Sequence, residues 1–227
     1  MSNSTTNKII TIYKSRTTIL ELLKKQEYET GDYNSFNINE IDAMISTNQL
    51  DMLVSKTETD ENQSVITTVG SNLKKIYVKY YLDSKQLRTP VLDDIIEDLF
   101  DLNGGTTATL EKKDTLVIIT ENEPNDSIVS RITYLYEKEG IFVVMFNIKR
   151  LQFNILNHSL VPPIHILNET ERIQFMKKYN IKNLTKIPEI GRFDPQAQAV
   201  FLRPGDICSF ERNSVSALKY YYYRVCV

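Results

Sequence analysis

The first part of the chain alternates between helical and extended patterns of apolar residues. Apolar side chains recur at helical spacing over residues 9–24 and again over residues 38–50. Short runs with strand character follow at residues 51–55, 64–69 and 75–82, and the last of these is rich in β-branched and aromatic residues. The pattern therefore predicts two helices followed by two or three strands.

A further helix and two buried strands are predicted beyond this point. Thr89 and Pro90 place proline in a first helical turn, where its missing N–H is tolerated, and the Asn-Gly-Gly at residues 103–105 favours a stop. Residues 115–120 form a continuous apolar run, which is typical of a strand covered on both faces. A helical pattern over residues 128–135 separates this run from another at residues 141–146. Strands that alternate with helices predict an α/β domain with a mixed sheet flanked by helices.

From Leu151 the pattern becomes that of a small α+β domain. The Asn-Glu-Thr-Glu of residues 168–171 has the spacing of a helix capping box, and the Asp-Pro of residues 194–195 is a second helix start. The Arg-Pro-Gly-Asp of residues 203–206 fits a type II turn, whose third position favours glycine. Strands are predicted at residues 207–212 and 219–227.

The change of pattern predicts two domains, residues 1–150 and residues 151–227, and their charges differ. The net charge is −2, but the first domain carries 17 basic against 23 acidic residues and the second carries 10 against 6. A protein that binds duplex DNA on its own usually presents a strongly basic face. Contact with DNA is therefore expected only as part of a larger assembly.

The composition argues against several other classes of function. Two cysteines are too few for a disulfide framework, and the two histidines accompany no closely spaced cysteine or histidine cluster. No metal, cofactor or catalytic residue is therefore expected. The longest apolar run, residues 141–146, is far too short to span a membrane, and the N-terminus lacks the apolar core of a secretory signal. We expect a soluble intracellular protein with no membrane partner.

An ordered set of short motifs occupies the last part of the chain, without a gap from Asp194 onward. It consists of His158, Leu160-Val161-Pro162, Tyr179, Leu184, Ile187-Pro188-Glu189-Ile190, Asp194-Pro195, Ala197, Leu202-Arg203, Gly205, Arg212, Ser214 and Tyr223-Arg224. This set resembles the C-terminal domain of the fifth subunit shared by the eukaryotic nuclear RNA polymerases, a subunit that has a shorter counterpart in the archaeal enzyme. The chain departs from that family at His165, which sits one place late, at Phe201, where the family has glycine, and at Pro204, where it has arginine. The Arg-Pro-Gly-Asp turn is similar to versions in large DNA viruses.

The resemblance implies a non-catalytic subunit of a multisubunit DNA-directed RNA polymerase. The second domain would dock on the largest polymerase subunit, beside other subunits. The first would be a jaw with a restriction-endonuclease-like fold that contacts downstream duplex DNA weakly and without sequence preference. The resemblance implies a nuclear protein or, for a viral version, one of the cytoplasmic virus factory or the virion. The residues expected at the largest-subunit interface are Pro162, Asp194, Pro195, Arg203, Gly205, Arg212, Tyr223 and Arg224, and those expected near DNA are Pro124 and Asn125.

Two alternatives stay open, because the fold implied for the first domain also serves nucleases. Such enzymes place an Asp and a Glu-x-Lys on adjacent strands, so that two carboxylates hold a metal ion. The residue two before Lys79 is Tyr77, and this disfavours a latent metal nuclease. The other alternative is a stand-alone nucleic-acid-binding protein with a degenerate nuclease fold.

Two further groups of residues could take part in binding. The four tyrosines at residues 220–223 could stack on bases, but consecutive residues of a strand point to opposite faces. Packing by Tyr221 or Tyr223 is therefore favoured. His158 and His165 are too isolated to act as a pair of bases, and local hydrogen bonding is the favoured role for both.

Overall fold

The computed structural model of the chain describes residues 3–56, 74–82, 86–100 and 109–227. It contains two compact units, Met1–Phe153 and Asn154–Val227. The division falls three residues from the predicted change of pattern. The predicted strand at residues 64–69 and the predicted helix stop at residues 103–105 lie outside the described residues. None of the helices within the described ranges has the length and apolar character needed to cross a membrane.

The helices of the N-terminal unit follow the predicted periodicities. They are α1 (Asn3–Lys25), α2 (Ile38–Ser46), α3 (Thr89–Phe100) and α4 (Asp126–Tyr134), which continues into a π-helical turn at Leu135–Glu139. The helix α2 is shorter than predicted, because Asn48 adopts a positive φ of 53° just beyond its end. Its start carries a signal that the pattern had not identified: Asn37 and Glu40 form a complete capping box.

The central sheet of this unit is mixed. Its strands are β1 (Met52–Ser55), β2 (Lys75–Tyr81), β3 (Thr115–Thr120) and β4 (Phe142–Asn147), in that spatial order. β1 pairs antiparallel with β2, whereas β2, β3 and β4 run parallel. All residues of β3 and β4 are buried, as expected for parallel strands covered on both faces. The predicted mixed sheet with flanking helices is confirmed, while the likeness to restriction endonucleases remains a prediction.

The helices that flank this sheet are joined to each other and to its strands. Parallel crossovers are almost always right-handed, which places α3 and α4 on the same face of the sheet. Arg131 Nε of α4 donates to Asp93 Oδ1 of α3 at 2.8 Å. Helix α1 contributes the fully buried side chains of Ile12 and Ile19 to the core. Its Ser15 lies with Oγ 3.4 Å from the hydroxyl of Tyr80 on β2.

The C-terminal unit is a second mixed sheet with two helices. Its strands are β5 (Ile164–Ile166), β6 (Glu189–Ile190), β7 (Ile207–Ser214) and β8 (Leu218–Cys226), and its helices are α5 (Glu169–Lys178) and α6 (Pro195–Ala199). The spatial order of strands is β5-β7-β8-β6. Both predicted helix starts are confirmed: Asn168 and Glu171 form a capping box, and Asp194 caps a helix with Pro195 at its first position. The short strands β5 and β6 had not been predicted.

Candidate interaction surface of the C-terminal unit

The sheet of the C-terminal unit has an apolar cluster on each face. Cys208 and Phe210 of β7 and Cys226 of β8 pack with residues of α6 in one cluster, and Ile207 and Val225 pack with α5 in the other. The alternation of side chains along each strand produces this division. Even-numbered residues of the hairpin therefore lie on the α6 face, and odd-numbered residues lie on the α5 face.

The two cysteines belong to the packing of the α6 face. Both are free and buried, and burial is the main reason that the pKa of each thiol, Cys208 and Cys226, is raised to about 12. A thiol with so high a pKa stays protonated at neutral pH and is a poor nucleophile or metal ligand. These residues therefore serve the core.

The turn at residues 203–206 has the predicted geometry and joins α6 to β7. Asp206 donates its N–H to the carbonyl of Arg203 at 3.0 Å, and Gly205 has a φ of 94°. The Gly205 N–H donates to the carbonyl of Cys226 at 2.9 Å, and the Cys226 N–H donates to the carbonyl of Asp206 at 2.9 Å. The turn therefore holds the end of β8 through its backbone.

The first three predicted interface residues come together at the start of α6. The Asp194 carboxylate accepts the N–H of Gln196 at 2.9 Å. The Gln196 side-chain amide in turn donates to the carbonyl of Pro162 at 2.7 Å. Asp194 and Pro195 are exposed. Pro162 and the start of α6 thus form a single surface patch, although they are far apart in sequence.

The two predicted interface arginines of the hairpin gather around one aromatic ring on the α6 face. The guanidinium carbon of Arg212 lies 4.3 Å from the centre of the Tyr222 ring, and that of Arg224 lies 5.9 Å from it. Tyr222 also stacks on Phe210, with ring centres 4.8 Å apart and planes 11° apart. Arg224 donates to the carbonyl of Glu189 at 2.9 Å, but neither arginine forms an ion pair with a carboxylate of the described residues. This face therefore carries two cations beside an aromatic platform.

Tyr223 was predicted for the same interface but lies on the opposite face of the sheet. Its ring centre is 4.3 Å from that of Phe175 and 5.9 Å from that of Tyr179, both in the α5 segment. Tyr223 therefore packs, as was favoured. Tyr221 is 58% exposed, and its hydroxyl donates to Glu211 at 3.0 Å. The stacking of Tyr222 on Phe210 had not been anticipated.

A groove of about 330 Å³ runs between α5 and the hairpin. Its lining is largely aromatic and includes Tyr179, Tyr221 and Tyr223. His165 and Glu171 lie in the same lining, with His165 Nε2 2.9 Å from Glu171 Oε2. Hydrogen bonding from the Asn168 N–H, followed by His165, lowers the pKa of Glu171 below its usual value. His158 accepts the Leu160 N–H at 3.2 Å, so both histidines have the local hydrogen bonds that were favoured.

Exposed large apolar side chains are concentrated in the C-terminal unit, although it is the shorter unit. There they are Leu160, Ile173, Tyr179, Val215, Leu218, Tyr220, Tyr221 and Val227, while the described part of the N-terminal unit has Ile38, Leu53, Tyr134 and Phe153. Contiguous exposed apolar surface on a protein commonly marks a site of association. The hairpin β7–β8 carries four of these side chains.

In the N-terminal unit, the residues weighed for nuclease chemistry form a hydrogen-bonded cluster that sequence reasoning missed. Asp51, just before β1, accepts from the Tyr77 hydroxyl at 3.0 Å and the Tyr80 N–H at 2.9 Å, and Lys79 Nζ lies 3.4 Å away. Burial and, to a lesser extent, Asp51 raise the pKa of Tyr77 to about 12. An acid does stand beside Lys79, but its oxygens are already hydrogen-bonded. Within the described residues, no group of three or more metal-binding side chains occurs.

The two residues predicted to lie near DNA, Pro124 and Asn125, are in the loop between β3 and α4. Asn125 caps α4 by accepting the N–H of Ile128 at 3.0 Å. The neighbouring Glu123 pairs with Arg150 at 2.8 Å. The loop is partly exposed and lies at the carboxyl end of a parallel strand, where α/β folds commonly bind ligands. Its charges are largely paired within the unit.

Comparison with known proteins covers both units, but most strongly the second. Residues 153–226 match the family described as RNA polymerase Rpb5, C-terminal domain. The DNA-directed RNA polymerase subunit Rpo5 of Thermococcus kodakarensis is 42% identical over 76 residues, which are 34% of this chain and 92% of that protein. The DNA-directed RNA polymerases I, II, and III subunit rpabc1 of Dictyostelium discoideum is 32% identical over 91 residues, 40% of this chain and 46% of that protein. The DNA-directed RNA polymerase subunit 5-like protein 1 of Arabidopsis thaliana is 22% identical over 97% of this chain and 98% of its own length.

Proposed function

The chain belongs to the Rpo5 family of DNA-directed RNA polymerase subunits, and from that premise we propose that its C-terminal unit docks on the largest chain of such a polymerase. In this assembly the protein is a non-catalytic component of transcription. The observation that carries the proposal is the coverage of the archaeal relative, because 92% of that polymerase subunit aligns with one third of this chain. The C-terminal unit is thus the part that a polymerase subunit can consist of almost alone.

The surface of this unit supports an assembly role. Its exposed apolar side chains would be buried against a partner, and each large side chain so buried stabilises a complex by about 1.5–3 kcal/mol before the costs of association. Arg212 and Arg224 add cations that carry no carboxylate partner among the described residues. Arginine is well suited to such a place, because its planar guanidinium pairs carboxylates in a bidentate manner.

The N-terminal unit forms, in the same proposal, one side of the cleft that holds downstream duplex DNA. The alignment over nearly the whole length of the Arabidopsis protein supports a shared arrangement of both units. Contacts from the loop at Pro124 and Asn125 would position the duplex without reading its sequence, since phosphate contacts carry no base information. The resemblance to eukaryotic subunits favours a nuclear location.

Recovery of the protein from its source tests the assembly role. A tagged full-length chain should co-purify with the large subunits of a DNA-directed RNA polymerase in a stoichiometric complex, identified by mass spectrometry. A matched chain that ends at Phe153 should not, provided circular dichroism shows that it is folded. Recovery of the full-length chain as a lone species would contradict the proposal.

DNA binding by the isolated chain separates this role from that of a stand-alone nucleic-acid-binding protein. The purified chain should bind duplex DNA no more tightly than a non-specific Kd of roughly 10⁻⁴ to 10⁻⁶ M at physiological salt. A Kd in the nanomolar range, measured by fluorescence anisotropy on a labelled duplex, would favour the stand-alone role instead.

A further inference from the structure

One edge of the C-terminal sheet is covered over only a small part of its length. β7 pairs with β8 without interruption from Ile207 opposite Val225 to Ser214 opposite Leu218. On its other side β8 is paired only at Val225 and Cys226, by the short strand β6. Within the described part of the chain, no strand pairs with this side of β8 over residues 218–224.

The backbone groups that point out of this edge can be assigned from the alternation of the ladder. Val225 donates its N–H to Pro188 at 2.9 Å on the β6 side, and successive residues of a strand point their backbone groups to opposite sides. The N–H and C=O groups of Tyr221 and Tyr223 therefore point to the same side, beyond the end of β6. The Lys219 N–H is already used by the carbonyl of Ala217 at 2.6 Å. Tyr221 and Tyr223 thus offer two donors and two acceptors in a row.

This edge lacks most of the features by which proteins protect exposed strands. Residues 218–224 contain no proline, and the unbroken register with β7 leaves no bulge. Of the two charged residues, Lys219 is neutralised by an ion pair with Glu211 across the hairpin. Two large side chains at this edge, Leu218 and Tyr221, are 84% and 58% exposed. Such an edge favours pairing with another strand.

The two faces beside the edge differ in chemistry. On the α5 face, the aromatic groove of about 330 Å³ continues from Tyr221 and Tyr223 to Tyr179. On the α6 face, Arg212 and Arg224 flank the ring of Tyr222. A strand laid along β8 would alternate its side chains between an apolar groove and a cationic surface.

We propose that the edge of β8 at Tyr221 and Tyr223 binds an extended segment of a partner polypeptide by strand addition. The side chains of that segment are apolar where they face the groove and acidic where they face Arg212 and Arg224. This inference rests on the proposed function, since the segment belongs to the polymerase chain on which the C-terminal unit docks. The unpaired backbone groups identify the occupant as a polypeptide strand, and the two arginines determine its charge.

Amide hydrogen exchange on the assembled complex tests the pairing directly. The probe is the polymerase that co-purifies with the tagged full-length chain, compared with the free chain. The amides of Tyr221 and Tyr223 should exchange at least tenfold more slowly in the complex. A complex that contains the polymerase, but in which these two amides exchange as in the free chain, would overturn strand addition while leaving the polymerase role intact. Failure to recover any polymerase would overturn both.

A proline variant tests the same edge by removal of its donor. Tyr221→Pro removes an N–H that points away from β7, and proline is tolerated at such edge positions. It should reduce recovery of the polymerase at least tenfold, whereas Tyr221→Ala, which keeps the N–H, should reduce it less. Unchanged exchange of the β7 amides would verify that the variant is folded. Equal losses with Pro and Ala would show that the side chain, and not the backbone, makes the contact.

Charge reversal tests the nature of the segment. Arg212→Glu should weaken the association about tenfold, while Lys182→Glu, an equal change at another exposed position of the same unit, should have little effect. Equal effects of the two variants would contradict an acidic segment at this face. A dimer of the free chain in analytical ultracentrifugation, abolished by Tyr221→Pro, would instead identify a second copy as the occupant and overturn the proposal.

Discussion

Replacement of Gly205 offers the sharpest test of how the C-terminal unit is held together. Gly205 has a φ of 94°, a conformation that residues with a Cβ rarely adopt. A Cβ added at this position would meet no atom within 4 Å, so a substitution is opposed by backbone strain and not by a clash. Because the same turn binds the backbone of Cys226, relief of the strain by movement of the turn would release the end of β8.

The expected magnitude follows from the conformation alone. A non-glycine residue held in the left-handed region is destabilised by about 1–2 kcal/mol, and β-branched side chains suffer more. Gly205→Ala should therefore lower the free energy of unfolding of the C-terminal unit by about 1–2 kcal/mol, and Gly205→Val by up to about 3 kcal/mol. Gly205→Asn should recover part of the loss, since asparagine tolerates positive φ best among the other residues.

Gly191 is a matched control within the same unit. A Cβ at Gly191 would also meet no atom within 4 Å, but its φ lies outside the positive region. Gly191→Ala should leave stability unchanged or raise it by about 0.4–1 kcal/mol, because alanine restricts the unfolded chain. The comparison isolates the cost of the positive φ.

Hydrogen exchange measured by mass spectrometry on the full-length chain provides the assay. A loss of 1–2 kcal/mol corresponds to a roughly 5–30-fold change in the population of open states, so the slowest amides of β7 and β8 should exchange faster by this factor in Gly205→Ala. Peptides of the N-terminal unit report whether the effect is local. If Gly205→Ala and Gly191→Ala exchange alike, the turn does not require a positive φ and the reasoning is wrong.

Three further predictions concern other contacts of the chain, and a fourth concerns its division into units. Asn168→Ala should destabilise the C-terminal unit by about 1 kcal/mol in chemical unfolding through loss of the α5 cap, with no loss if the cap is dispensable. The lowered pKa of Glu171 contributes stability above the usual glutamate pKa that is lost as the pH falls below about 4, and Glu171→Gln should remove this part of the acid dependence. The pKa of Tyr77, raised to about 12, gives stability that is present below pH 10 and lost as the pH rises from about 10 to 12; Tyr77→Phe should flatten the alkaline decline, and identical curves would refute the assignment. A fragment of residues 154–227 should give a dispersed NMR spectrum, whereas collapsed resonances would show that it needs the rest of the chain.

Local signals in the sequence determined most of the secondary structure. The helix starts at Asn168 and Asp194 and the turn around Gly205 were predictable, because each depends on the chemistry of a few adjacent residues. The buried strand Thr115–Thr120 was predictable because a strand covered on both faces must be apolar throughout. The motifs after Asn157 likewise indicated the polymerase subunit family, which the relatives bear out.

Contacts between residues distant in sequence were decided only by the tertiary structure. The carboxylate of Asp51 meets Lys79 because two strands pair, and no spacing in the sequence reveals that neighbour. The free edge of β8 exists because β6 covers only two of its residues, a strand too short to produce a periodic pattern. Periodicity reports which face of an element is buried, whereas the partner at its edge depends on where the chain returns in space.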